Sequence, residues 1–158
     1  MIHRDFRVPL QQTIRKSLPY MEPNFSNRQI RLVQSPNSVA WEADLLRIQT
    51  ILLNVQCECL LGYPVENWLS ADFWYEHLHP DDRSRTKESC THAINDYRVL
   101  DFEYRMIAAD GQTRWIRDVI TVDVEGSEPR KLRGIMEDVT DQKSQVQSQN
   151  DHIRFLES

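Results

Sequence analysis

Two short words bring together the side chains best suited to hold a metal, Cys57-x-Cys59 and His77-x-His79. Zinc takes thiolates and imidazoles in tetrahedral sets of four, so by type alone these residues qualify. The spacing argues against them. On a helix, residues i and i+2 point about 200° apart, so Cys57 and Cys59 cannot both face one ion without local unwinding. One of the two then reads as a small buried residue. The acidic pair Asp81-Asp82 has the chemistry of general acid–base catalysis. It follows Pro80, however, at what reads as a helix start, where acidic side chains complement the helix dipole. Ser, His and Asp occur without a nucleophile elbow of the GxSxG kind, and there is neither a P-loop nor a GxGxxG word. The chain carries no catalytic motif, so an enzyme is not expected, and the residues call for no metal.

The charge balance narrows the partners. Lys and Arg total 19 against 24 Asp and Glu, for a net charge of −5 and a pI near 5.5. Nucleic-acid binding relies on clustered cations, so that class is set aside. With 158 residues, 40% hydrophobic and 27% charged, the chain suits one compact domain with arms. Its longest apolar-leaning stretch, Ser38 to Val55, is broken by Glu42, Asp44 and Arg47, and falls short of a membrane span. The first residues, MIHRDFRVPLQQ, lack the apolar block of a signal peptide. Cys57, Cys59 and Cys90 cannot all pair. A reduced, cytoplasmic chain is expected.

The elements that must position any site follow from patterning. Residues 1–36 hold four of the seven prolines and read as an arm or linker, with a short helix around Asn27 to Val33. SVAWEADL alternates Val39, Trp41 and Ala43 against Ala40, Glu42 and Asp44, as a half-buried strand does. RIQTILLN is a second strand, after which Asn54 caps a short helix that Gly62 and Pro64 stop. ENWLSADFWYEHLH reads as short helical turns. A longer helix runs from Pro80 to about Tyr97 with Thr86, Cys90, Ala93, Ile94 and Tyr97 on one face. Then come VLDFEYRMI, a turn at Asp110-Gly111, the long strand RWIRDVITVDV, and KLRGIMEDV, which together form an antiparallel meander. Gly134, inside a strand, marks close approach of another backbone or a bulge. On the long strand Trp115, Arg117, Val119, Thr121 and Asp123 face one way, and Arg114, Ile116, Asp118, Ile120, Val122 and Val124 the other. With apolar residues on both faces, Ile116, Ile120 and Val122 are expected to need cover from the N-terminal helix or a partner subunit. The fold class is α+β: one five-stranded antiparallel sheet with short helices on one face, an N-terminal helical arm and a C-terminal exit helix.

Seven words in this order carry a resemblance. They are Trp41-Glu42-Ala43-Asp44, Leu61-Gly62-Tyr63-Pro64, His79-Pro80-Asp81-Asp82, Phe102-Glu103-Tyr104-Arg105, Asp110-Gly111, Arg114-Trp115-Ile116-Arg117 and the run Gly134 to Thr140. Together they resemble a PAS sensor domain of bacterial signalling proteins, with the last word similar to a PAC-type motif, over about residues 38 to 143. The resemblance implies a domain at 37–141 between the arm at 1–36 and a signalling helix at 142–158. It implies a sensory or regulatory module, of the kind found in sensor histidine kinases. That module would bind a small ligand or relay a conformational signal to a covalently linked output domain. The alternatives are a ligand-free dimerisation domain and the input domain of a diguanylate cyclase.

Site residues follow on the same footing. Some relatives hold haem through a histidine on the long helix, but His92 lies about 120° or more from the centre of the helix's apolar face. The light-sensing relatives carry an asparagine-cysteine-arginine motif that NVQCECLL lacks. No cofactor is therefore expected. Asp138, Thr140 and Asp141 are implied as the signal-transfer junction, with Thr140 or Asp141 capping the exit helix. Trp41, Phe73, Trp74, Cys90, Tyr104 and Trp115 are the candidates to line a pocket. Val146, Ile153 and Leu156, on a heptad frame shared with Val139, are expected to support a weak parallel homodimer.

Overall fold

The computed structural model describes residues 37–45, 49–53, 57–70 and 72–158. The expected arm at 1–36, with its helix around Asn27 to Val33, and the Asn54 cap lie outside the described residues. The strands are β1 (Ser38–Asp44), β2 (Gln49–Leu53), β3 (Leu100–Ile107), β4 (Thr113–Glu125) and β5 (Glu128–Asp138). They form one sheet of order β2-β1-β5-β4-β3, antiparallel throughout. Between β2 and β3 stand the short helices α1 (Cys57–Leu61), α2 (Val65–Trp68) and α3 (Phe73–His77), a 3₁₀ turn at Pro80–Asp82, and α4 (Arg83–Asn95). The exit helix α5 spans Thr140–Glu157. No described helix is long and apolar enough to cross a membrane.

Register fixes which side chains share a face. Tyr104 pairs with Ile116, Val39 with Met136, and Asp118 with both Phe102 and Met136. Tyr104, Ile116, Val39 and Met136 are buried with Cys57, Leu60 and Leu61 of α1, Trp68 of α2 and Phe73 of α3, so the helices cover this inner face. Ile116 and Ile120 therefore already lie inside the main core. For Ile116 and Ile120 the expectation of an outside cover is overturned; Val122, on the same row, is half-buried. The face opposite them carries ion pairs instead: Arg117 to Asp101 (2.6 Å), and Glu42 to Lys131 (2.7 Å) and Arg133 (3.0 Å). Burial pushes the Glu42 carboxyl up, but the hydrogen bonds from Lys131 and Arg133 outweigh it and hold the group below its usual range. β1 is buried on both faces rather than half-buried, since Ser38, Ala40, Glu42 and Asp44 are covered along with Val39.

One helix ends where expected and one does not. α1 stops at Gly62, which takes φ +78° and lies so close to Ala109 that a Cβ would meet the alanine's own Cβ at 3.3 Å. The long helix ends at Asn95, short of Tyr97. Tyr97 itself adopts φ +54°, and the amide of Arg98 bonds back to the Ala93 carbonyl (3.0 Å) while that of Tyr97 bonds to Ile94 (3.4 Å). This is a Schellman motif with tyrosine where glycine is usual. Tyr97 is consequently exposed, and its hydroxyl donates to the Ser127 carbonyl (2.9 Å).

Candidate functional site

Four of the six pocket candidates gather around a residue that was not among them. Asp118 points inward from the middle of β4 and is fully buried. Its Oδ2 accepts from the Tyr104 hydroxyl (2.8 Å) and its Oδ1 from the Trp41 indole N–H (3.2 Å). The Tyr104 oxygen in turn accepts from the Trp74 indole (3.0 Å). An indole can only donate, so the chain Trp74, Tyr104, Asp118, Trp41 places every proton on a neighbour and leaves the carboxylate as the final acceptor. Trp41 reaches this position because it lies across Gly134, where a Cβ would fall 2.3 Å from its Nε1. Cys90 of α4 completes the surroundings. Burial first, and the Asp118 charge second, push its thiol up to about 12. The signal for Asp118 lay in the sequence: an acid at the i+2 step of an otherwise apolar row, Ile116, Ile120, Val122.

The other two candidates stand elsewhere. Phe73 belongs to a separate aromatic group under α2 and α3, with Tyr63 (5.3 Å), Trp68 (4.8 Å) and His77 (4.2 Å) between ring centroids. Trp115 is on the outer face, because its neighbour Ile116 is the residue opposite Tyr104. There Arg105 (5.4 Å) and Lys143 (4.9 Å) sit over its ring. His77 and His79 are likewise engaged. Nδ1 of His77 donates to the Phe73 carbonyl (2.7 Å), and Nδ1 of His79 accepts from the Asp81 amide (3.2 Å) as the cap of the 3₁₀ turn. Cys59 is exposed while Cys57 is buried, and burial raises the Cys57 thiol to about 11. Among the described residues no three His, Cys, Asp or Glu side chains are grouped to hold a metal ion. His92 is exposed on α4.

The junction with α5 is tied at three atoms. Asp138 Oδ1 accepts from the amide (2.9 Å) and the hydroxyl (2.5 Å) of Thr140. The Thr140 hydroxyl oxygen accepts from the Trp115 amide (2.9 Å), and the Trp115 carbonyl accepts from the Val139 amide (2.9 Å). Asp138 therefore does the capping expected of Thr140 or Asp141, and Thr140 bridges the helix to β4. Asp141 is exposed in the first turn. It borders a cleft of about 470 Å³ shared with Arg114, Asp138 and Gln142. Lys143 pairs with Glu103 of β3 and so holds the first turn against the sheet. Beyond it Val146, Ile153 and Leu156 are exposed, whereas Val139 is buried in the domain and is no part of a helix seam. Phe155, three-quarters exposed, lies about 200° around the helix from Ile153 and was missed because it breaks the heptad.

Thr140→Val removes the acceptor for the Trp115 amide and a donor to Asp138. It is expected to cost about 1–3 kcal/mol and to speed amide exchange at Trp115 and in the first turn of α5. Thr140→Ser should restore both. Equal protection in the valine variant would show that the bridge carries nothing.

The sheet order and the helices on its inner face define an α+β architecture that comparison makes specific. The chain belongs to the family described as the PAS fold, which matches residues 50–136, just over half its length. It is similar to the N-terminal domain of a diguanylate cyclase with PAS/PAC sensor from Marinobacter aquaeolei, at 27% identity and a TM-score of 0.64, over 67% of this chain and 98% of that one. A sensory box histidine kinase/response regulator from Burkholderia thailandensis shares the fold at 22% identity and a TM-score of 0.68, over 84% and 98%. So does the domain of a putative light and redox sensing histidine kinase from Haloarcula marismortui, at 23% and 0.59, over 72% and 100%. No curated protein matches the chain in sequence.

Proposed function

We propose that this PAS domain is a sensory and regulatory module of a bacterial signal-transduction protein, cytoplasmic and without catalysis of its own. It hands a conformational change in the sheet, or the binding of a small ligand, to a linked output domain through α5. The observation that carries this reading is the Trp115–Thr140–Asp138 tie. One threonine hydroxyl joins β4 to the base of the helix, beside the Lys143–Glu103 pair. A sensor histidine kinase is the output favoured by the exposed row on that helix, since such a row suits a parallel helix pair continuing into a dimerisation helix. A diguanylate cyclase is the second reading, favoured by the likeness at 27% identity.

Homodimerisation through Val146, Ile153 and Leu156 supplies the test. The row is short, and stable coiled coils need three or four heptads, so the pair is weak by itself. Sedimentation should show a concentration-dependent dimer for the wild type. Ile153→Asp should weaken it roughly tenfold and leave the fold intact, a change of about 1.4 kcal/mol. A strictly monomeric wild type at high concentration would end the paired-helix reading.

A further inference from the structure

We propose that Asp118 is a proton-binding site, a buried carboxyl that gains and loses a proton while the groups around it stay neutral. The case begins with what surrounds it. From β3 come the Tyr104 phenol and, opposite in register, Phe102. From β1 comes the Trp41 indole, from β5 the register partner Met136, and from α4 the Cys90 thiol. The α3 residue Trp74 acts at one remove, through Tyr104. Of these only Tyr104 and Cys90 titrate, and burial pushes both up, so each is uncharged near neutrality. No ion pair reaches Asp118 among the described residues.

Two opposed demands then act on one group. A bare charge in a dry interior is costly, which favours the protonated acid. The hydrogen-bond inventory favours the anion, because both neighbours donate to it. A protonated Asp118 must find an acceptor, and Trp41 offers none. The Tyr104 oxygen can accept only by turning its own proton away from Asp118, while it still holds the N–H of Trp74. Burial dominates, the donations from Tyr104 and Trp41 counter it in part, and the balance sets the carboxyl at about 7. A larger cation does not fit between the partners, since the donors touch the oxygens directly at 2.8 and 3.2 Å.

Protonation thus reorders a chain of hydrogen bonds that spans α3, β3, β4 and β1. Asp118 is three residues from Trp115, whose amide and carbonyl hold the base of α5. As an input to α5 the site rests on the sensory reading above; as a proton site it does not.

The test is the side-chain carboxyl carbon of Asp118 followed by NMR across pH 5–9 in the intact chain. Asp118→Asn identifies the resonance by its loss. The expected midpoint is near 7, an acid about a thousandfold weaker than an ordinary aspartate. Tyr104→Phe, which removes a donor to the anion, should move it higher still. A midpoint in the ordinary carboxylate range, or one unmoved by Tyr104→Phe, overturns the proposal. Amide exchange at Trp115 and Val139, read in the same samples, separates the two claims. Protection, taken as exchange relative to the intrinsic rate at each pH, that follows the Asp118 titration and is flat in Asp118→Asn supports its use as an input. A neutral midpoint with protection that does not change with pH keeps the proton site and rejects the sensory use of it.

Discussion

Gly134→Val is expected to remove roughly 2–6 kcal/mol of stability, the sum of two separate injuries. The first is steric. A Cβ at this position falls 2.3 Å from Cε2 and Nε1 of Trp41 and 2.5 Å from Cζ2, so the indole must leave its place. Overfilling a packed interior of this kind costs about 1–3 kcal/mol. The second is polar: the displaced indole no longer donates to Asp118, and a buried acceptor stripped of a partner costs about 1–3 kcal/mol more. The backbone at Gly134 lies outside the left-handed region, so the penalty comes from crowding alone. Urea unfolding measures it. In a Trp41→Ala background the same change should cost markedly less, because the ring it strikes is gone. Equal penalties in both backgrounds would mean that the ring is not what keeps position 134 clear.

Asp82→Ala should cost about 1.5–3 kcal/mol, because the Arg105 side chain that it strands is partly exposed. Asp82 is buried at the junction of the 3₁₀ turn and α4. It accepts from three donors of one residue: the Arg105 amide (2.9 Å), Nε (3.0 Å) and Nη2 (2.7 Å). The fork joins α4 to the edge strand β3, and removing the carboxylate leaves a guanidinium and an amide unanswered. The same pairing sets a pH dependence. The hydrogen bonds from Arg105 hold the Asp82 carboxyl at about 2 against the opposing effect of burial. A lowered folded value means that the stabilisation is complete above the ordinary carboxylate range. It is lost as pH falls from about 4 through 2, and amounts to roughly 2–3 kcal/mol. Acid unfolding followed by circular dichroism should show this loss in the wild type and a flatter profile in Asp82→Asn. Parallel acid profiles would remove Asp82 from the account.

The meander of β3, β4 and β5 was legible because period-2 alternation and the Asp110-Gly111 turn agree with one another. The order of the short helices was legible from Gly62, Pro64 and Pro80, which each end or begin an element. The face of β4 was not. Asp118 stands among the inward apolar residues and Val119 among the outward polar ones, so neither row is clean. Only the pairing of Tyr104 with Ile116 decides between them. That pairing also corrects the grouping of Trp115 with Tyr104, since neighbours along a strand cannot face the same way. The signal-transfer residues were found by their order in the chain, but which of them caps was not. Asp138 precedes the helix by two residues and reaches forward to the Thr140 amide, a role that only the folded structure assigns. Tyr97 escaped for a different reason: composition gives no warning that a tyrosine will take a left-handed helix end.

Among the described residues the exit helix is held at its base, through Thr140 and Lys143, and this has a geometric consequence. Eighteen residues at 1.5 Å each make a rod about 27 Å long with its pivot at one end. A tilt of about 10° at Thr140, small enough to arise from one rearranged hydrogen bond, swings the far end through roughly 5 Å, close to the pitch of one helical turn. Leverage of that kind turns a sub-ångström event in the sheet into a change in which residues of two neighbouring rods meet.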